Sequence, residues 1–179
     1  MIYFWSDLHF NHSAVIEYCN RPFANVEAMN AALIETWNEI VYPHDTIWVL
    51  GDFAFSKSGL PTPADHFAKL AGHKCLIVGN HDEKNPAVLK LAWERVEKLH
   101  VVKEHGQKIV ACHYPLESWP GAHHGVVHAH GHSHGTLKRV VPHRFDVGVD
   151  VRKAPVAFEE LQWEAEQQEF SASDHHGEL

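Results

Sequence analysis

Five apolar runs in this 179-residue chain each end in side chains that can hold a metal ion. Phe4-Trp5-Ser6 leads to Asp7 and His9, Trp48-Val49-Leu50 to Asp52, and Leu76-Ile77-Val78 to Asn80 and His81. Ile109-Val110-Ala111-Cys112 leads to His113, and His128-Ala129-His130 to His132 and His134. Buried strands would deliver all of these to one edge of a sheet, where open α/β folds keep their ligand crevice. The pattern points to a two-metal hydrolytic site.

Hydrolysis at such a site needs a strong nucleophile at neutral pH, neutralisation of charge on the substrate oxygens and a proton for the leaving group. Two divalent ions roughly 3.5 to 4 Å apart supply the first two, provided a carboxylate bridges them. A mixed nitrogen and oxygen donor set suits Mn, Fe, Zn, Co or Ni and is too rich in nitrogen for Mg or Ca. The pieces differ in weight. Gly51-Asp52 alone marks turns everywhere, Asp7-Leu8-His9 alone reads as a surface turn or cap, and Gly131-His132-Ser133-His134 alone reads as a solvated turn. Gly79-Asn80-His81-Asp82 after an apolar strand is stronger, and five in order at strand ends are stronger still.

The elements that must position these residues can be read from spacing. Residues 2–6 read as a buried strand, and Ser13 is placed to cap a short helix to about residue 19. The Arg21-Pro22 step forces an extended turn. Met29, Leu33, Trp37 and Ile40 recur at helical spacing behind Asn25, predicting a helix over 26–41. Residues 46–50 and 74–78 are strands, with a helix between them bracketed by Thr62-Pro63 and Gly72. A short helix follows Pro86, and 99–104 with 108–111 reads as a hairpin around His105-Gly106. Residues 126–130 and 145–149 are further strands, and 155–169 is a helical segment with Glu159 and Glu160 near its start. Strands interleaved with helices suggest an α/β fold of two mixed sheets packed face to face with helices outside.

Length and an apolar content of 45% fit one domain over residues 1–170 with a polar tail over 171–179. A net charge of −8 argues against a polyanion-binding face, so attraction for phosphate must come from bound metals. No basic segment precedes an apolar h-region and no run approaches membrane-span length, so a cytoplasmic protein that does not enter the membrane is expected. Cys19, Cys75 and Cys112 lack zinc-site spacing and read as reduced core thiols. Neither charge nor pattern indicates an oligomeric state. Of the eighteen histidines, His123, His124, His128 and His130, with His175 and His176 of the tail, fall outside the ligand pattern. They read as solvated loop or tail residues.

Taken together, Asp7-Leu8-His9, Gly51-Asp52, Gly79-Asn80-His81-Asp82, His113 and Gly131-His132-Ser133-His134 resemble the signature of calcineurin-like metallophosphoesterases, with every element present. The resemblance spans roughly residues 2–150. The stretch Ser6-Asp7-Leu8-His9-Phe10-Asn11-His12, Arg21-Pro22-Phe23, the helix around Trp37-Asn38 and His113-Tyr114-Pro115-Leu116 are similar to a compact branch found in bacteria and phages. The resemblance implies a four-layer sandwich, with Asp52 bridging two metals. It places Asp7, His9 and His134 on one and Asn80, His113 and His132 on the other. It leaves His81 unligated beside them as general acid, a role imidazole suits because it titrates near neutrality. Asp82 is then a partner that orients His81, unless it is a capping or surface carboxylate.

His12 and Arg21 are candidates to contact a substrate phosphate, the alternatives being a loop histidine and a surface ion pair. Trp119 either stacks a base or covers the core. The implied activity is hydrolysis of a small phosphodiester, a nucleotide among the candidates, by a metal-bridging hydroxide. A nuclease or nucleic-acid end-processing enzyme is the alternative on the same chemistry, disfavoured by charge. A non-catalytic metal-binding scaffold would show lost ligands, and a His-rich metal carrier would bind much metal without turnover.

Overall fold

A computed structural model of the protein describes residues 1–169. The tail expected over 171–179, with His175 and His176, lies outside the described residues. Five strands form the larger sheet: β1 (Ile2–Trp5), β2 (Thr46–Val49), β3 (His73–Ile77), β4 (Arg95–Glu97) and β9 (Val156–Ala157), in the order β4-β3-β2-β1-β9. β1 to β4 pair in parallel and β9 closes the edge antiparallel. The smaller sheet runs β5 (Leu99–Glu104), β6 (Gln107–Cys112), β7 (Val127–His130), β8 (Arg144–Asp146), antiparallel at β5–β6 and parallel after that. Both sheets are therefore mixed. Because β1, β2 and β3 run the same way, as do β6 and β7, every candidate ligand emerges from a C-terminal strand end.

Alternation along the strands separates the core into layers, since successive side chains point to opposite faces. Phe4, Trp48, Cys75 and Ile77 of the larger sheet face Ile109, Ala111, Val127 and Ala129 of the smaller one. On the other face of the larger sheet, Trp5, Ile47, Val49 and Leu76 meet Met29, Leu33 and Trp37. Those three lie on α2 (Val26–Ile40), whose first turn is capped by Asn25 accepting from the Ala28 amide at 2.8 Å. α1 (Ser13–Tyr18), α3 (Pro63–Lys69) and α4 (Pro86–Leu89) complete that side, α3 opening on a capping box between Thr62 and Asp65. α5 (Phe158–Glu166) sends Phe158, Leu161 and Ala165 into the layer between the sheets. The two-sheet sandwich flanked by helices is the architecture anticipated from the sequence. Over the smaller sheet its cover is thin, a loop carrying Trp119 and a 3₁₀ turn over Ala122–His124 packed on Val110.

Local departures have physical causes. Ser13 is the first helical residue, not a cap; His12 precedes it with no capping bond from its side chain. β4 gives no alternation because all three of its residues are exposed. The segment over 155–169 begins as strand β9, since residues 156 and 157 find partners on β1 before the helix starts. Among the described residues no helix is long and apolar enough to cross a membrane.

Candidate metal centre

The loop after β1 continues the sheet pairing by backbone bonds, from the Asp7 amide to the Gly51 carbonyl (3.1 Å) and from the His9 amide to the Asp52 carbonyl (2.9 Å). Ser6 bonds the chain on both sides of Gly148, which ties the two sheets together at this edge. Asp7, His9, Asp52, His132 and His134 all hold left-handed backbone, with φ of 57°, 51°, 56°, 66° and 47°. Non-glycine residues rarely adopt that region, and such strain gathers where side chains must be aimed. Glycine lets the loops close in: a Cβ on Gly79 would strike the Asp52 carboxylate, and one on Gly131 would strike Ser6 and Asp7.

All seven candidate ligands meet at this edge, in two clusters. In the first, ligand atoms of Asp7, His9 and His134 lie within 4.8 Å of one another, and the His9 and His134 rings stack at 5.3 Å. In the second, Asn80 Oδ1 lies 3.0 Å from His113 Nε2 and 3.0 Å from His132 Nδ1. Asp52 Oδ2 stands between them, 3.6 Å from His9 Nε2 and 3.7 Å from His113 Nε2. His113 donates from Nδ1 to the Leu50 carbonyl at 2.7 Å, which leaves the Nε2 lone pair facing the cluster.

The donors fit a divalent cation. His9 is buried and neither of its ring nitrogens has a hydrogen-bond partner, an arrangement that is costly unless something else takes the lone pair. Burial, with nearby Arg21, His134, His12 and His81, holds its pKa well below the usual imidazole range, so its ring is neutral. Burial pushes the Asp7 carboxyl up to about 8, with Asp52 adding repulsion against the pull of His134. A cation relieves that cost directly.

His81 sits at the mouth, with its side chain 40% exposed, its amide on Asp52 Oδ1 (3.0 Å) and its Nε2 3.9 Å from Asp52 Oδ2. It also lies within reach of a further group with His9 and Asp52, so geometry alone admits it as a ligand. His12 is beside it, stacked on Phe55 at 4.1 Å and facing the same cavity.

Three expectations require correction. Asp82 does not orient His81: its carboxylate accepts from the amides of Asp52 (2.8 Å), Phe53 (3.0 Å) and Gly79 (2.9 Å), locking the two ligand-bearing loops to each other. Burial raises its pKa to about 6 despite those bonds. Arg21 is not available to a phosphate. It is buried, bidentate to Asp150 (2.8 Å and 2.8 Å), and its remaining donors reach the Leu8 and Asp7 carbonyls. Trp119 belongs to the core, its indole donating to the Val126 carbonyl. His128 and His130 are buried rather than solvated, because they lie within β7, whereas His123 and His124 are exposed as expected.

Asp150 is the residue of the candidate centre that sequence reasoning missed. It accepts from His134 Nδ1 at 2.7 Å while pairing with Arg21, which fixes the tautomer and turns the other nitrogen toward Asp7 and His9. Burial would raise its pKa, but the His134 and Arg21 bonds hold it below the usual carboxylate value. Asp146 plays a similar part for the turn, accepting from Ser133 Oγ, the Gly135 amide and the Gly148 amide. The signal was an acidic residue at each end of the alternating run Val147-Gly148-Val149. Nothing local linked Asp150 to Arg21, 129 positions away.

No family model matches the chain. Its fold is that of a protein of unknown function from Aquifex aeolicus, AQ665, with a TM-score of 0.74 at 22% identity, covering 91% of this chain and 98% of that one. It is also that of YfcE, a phosphoesterase from E. coli, with a TM-score of 0.52 at 16% identity, covering 82% and 77%. The fold is thus shared with these two proteins, and groups of residues that could hold a metal ion lie at its strand ends. In sequence, the chain is 38% identical over 133 residues to the uncharacterized protein MJ1445 of Methanocaldococcus jannaschii, covering 74% of this chain and 69% of that protein. This chain belongs to the same family as MJ1445.

Proposed function

We propose that the protein is a dinuclear metal-dependent phosphodiesterase of the compact bacterial and phage branch of the calcineurin-like metallophosphoesterases. The observation that carries this reading is Asp52 Oδ2, which faces His9 on one side and His113 on the other at nearly equal distance. Asp7, His9 and His134 would hold one ion, and Asn80, His113 and His132 the other, with Asp52 shared. Mn, Fe, Zn, Co and Ni match the donors. Such ions, when bound, supply activation of water at neutral pH and neutralisation of the non-bridging phosphate oxygens.

The chain's own residues do the rest. Asp82 and Asp150 keep the ligands aimed before substrate arrives, so little reorganisation is needed during the reaction. His81 stands at the open side of the centre, where a leaving oxygen must emerge, and donates its proton there. Water's oxygen bonds to phosphorus, and the P–O bond to the leaving group breaks with its electron pair going to that oxygen. The proton lost by the water restores His81. The proximity of His81 to His9 and Asp52 favours a second reading, in which His81 is itself a ligand.

Asp52→Asn tests the shared site by metal analysis and turnover of bis(p-nitrophenyl) phosphate on one preparation. The expected result is loss of turnover and of at least one bound ion. Two ions and full turnover in the variant would remove Asp52 from the bridging position.

A further inference from the structure

Two cavities meet at His81. The larger, about 460 Å³, is lined by His9, His132 and His134 of the candidate centre together with His12, Tyr18 and Thr136. The smaller, about 290 Å³, is lined by Ala54, Phe55, Ser56, His81, Lys84 and Asn85 and contains none of the seven residues assigned to the two ions. A phosphate held by the metal-site residues would occupy the first. A proton donor must come within roughly 3 Å of the leaving oxygen, so a group that departs past His81 is directed into the second.

The smaller cavity is built rather than incidental. Asn85 donates from Nδ2 to the Ala54 carbonyl at 2.9 Å, and Ser56 Oγ bonds Asn85 Oδ1 at 3.1 Å, which fixes one wall. The Phe55 ring lies 4.9 Å from the His81 ring and 4.1 Å from that of His12, holding the partition between the two spaces. Among the residues lining both cavities, Lys84 alone carries a permanent positive charge. Its neighbour Glu83 is engaged by Lys98 at 2.6 Å, and Lys84 forms no ion pair of its own with the described residues. The chain as a whole carries −8, a field that repels a multiply charged anion, so a local cation is what such a substrate needs at this point.

We propose, resting on the phosphodiesterase reading above, that the leaving alcohol of the substrate occupies the Phe55–Lys84 cavity and carries a second anionic group that pairs with Lys84. The substrate class is then a phosphodiester whose leaving alcohol bears its own phosphate or carboxylate. The bonds made and broken are those of the hydrolysis already written, with the His81 proton ending on the oxygen of that alcohol.

The test uses the metal-loaded protein and four substrates: dithymidine monophosphate, the same dinucleotide with a 5′-terminal phosphate, the same with a 3′-terminal phosphate, and bis(p-nitrophenyl) phosphate. Whichever ester oxygen departs, one of the two phosphorylated dinucleotides places a phosphate on the leaving side. That substrate should exceed the unphosphorylated dinucleotide in kcat/KM by roughly tenfold, the worth of one charge-assisted contact. Lys84→Ala should abolish the advantage through KM and Lys84→Arg should keep it. Both variants should turn over the unphosphorylated dinucleotide and bis(p-nitrophenyl) phosphate within about twofold of the parent, as expected for an exposed side chain outside the reacting centre. The inference is overturned if neither phosphorylated dinucleotide has an advantage, if the advantage survives Lys84→Ala, or if that variant slows all four substrates alike. Failure to hydrolyse any of the four would overturn the phosphodiesterase reading and this inference with it, whereas turnover without a Lys84 effect would overturn the inference alone.

Discussion

Histidine occupies residues 128, 130, 132 and 134, four alternate positions in a row, and the structure puts the two halves of that row to different work. His128 and His130 lie within β7 and are buried. His128 donates from Nδ1 to the Val110 carbonyl at 2.9 Å and accepts on Nε2 from the Leu116 amide at 3.1 Å, so its hydrogen-bonding capacity is used up inside the sheet. His132 and His134 follow the strand end, where the backbone turns left-handed and the side chains leave the sheet toward Asn80 and Asp150. His9 completes the contrast: buried like His128, it has no hydrogen-bond partner at either nitrogen. What separates a structural histidine from a candidate ligand here is neither burial nor spacing but whether protein groups already satisfy the ring.

That distinction breaks first under substitution on either side of the strand end. His134→Ala should remove an ion and turnover while leaving the metal-stripped protein folded, because the ring adds little to the core. His128→Ala should leave metal stoichiometry intact yet cost about 2 to 4 kcal/mol of stability, through unpaired groups at Val110 and Leu116. The acid side of the stability curve sharpens the same point. Burial lowers the His128 pKa from 6.5 to about 4, so between those values the unfolded chain binds a proton that the folded chain refuses. Its contribution is therefore fully present above pH 6.5 and is lost as pH falls toward 4, to the extent of about 3 kcal/mol. Denaturant titration of metal-stripped parent and His128→Ala between pH 7 and 4 should show a shallower loss in the variant. Equal slopes would mean that His128 is not held neutral by the fold.

The sequence made the strand ends legible because each combines an apolar run, which buries on both faces, with a polar side chain that burial would otherwise reject. Asp7, His9, Asp52, Asn80, His113, His132 and His134 do converge, and the helix over Val26–Ile40 with its Asn25 cap was readable for the same reason of strong local periodicity. Long-range partners were not legible. Arg21 looked like a phosphate contact because it follows a ligand pair closely, but its partner Asp150 arrives from the far end of the chain. Asp82 looked like a partner for His81 because they are adjacent, whereas the turn directs its carboxylate back to three amides. Adjacency in sequence says little about which way a side chain points once a loop tightens.

His81 belongs to neither half of the comparison, being partly exposed and near the centre without being enclosed by it. If it donates the proton, its removal should matter in proportion to how badly the leaving group needs one. An alkoxide leaves poorly without protonation, whereas p-nitrophenolate leaves readily as the anion. His81→Ala should therefore keep all bound metal and lose about 10²- to 10⁴-fold on alkyl or nucleoside diesters. A much smaller loss is expected on p-nitrophenyl esters. Equal losses with metal retained would make His81 a stabiliser of transition-state charge, and loss of an ion would place it with His9 and Asp52 as a ligand.

The smallest effect should come from His123 and His124, which serve as a control on the whole distinction. They share a 3₁₀ turn between Gly121 and Gly125, whose φ values of 80° and 76° make the turn a left-handed bracket that needs no side chain to hold it. Both rings are exposed and lie 4.0 Å apart, so they neither satisfy buried groups as His128 does nor sit among carboxylates as His9 does. Replacing both by Ala should change stability by no more than about 0.5 kcal/mol. It should leave the tightly held metal and bis(p-nitrophenyl) phosphate turnover unaltered. An exposed pair can still pick up loose transition metal, so the count belongs after dialysis against a weak chelator, which strips two-ligand sites and spares enclosed ones. An ion lost from the double variant under those conditions would show that exposed, unpartnered histidines feed the centre after all, and the rule drawn from His128 and His9 would fail.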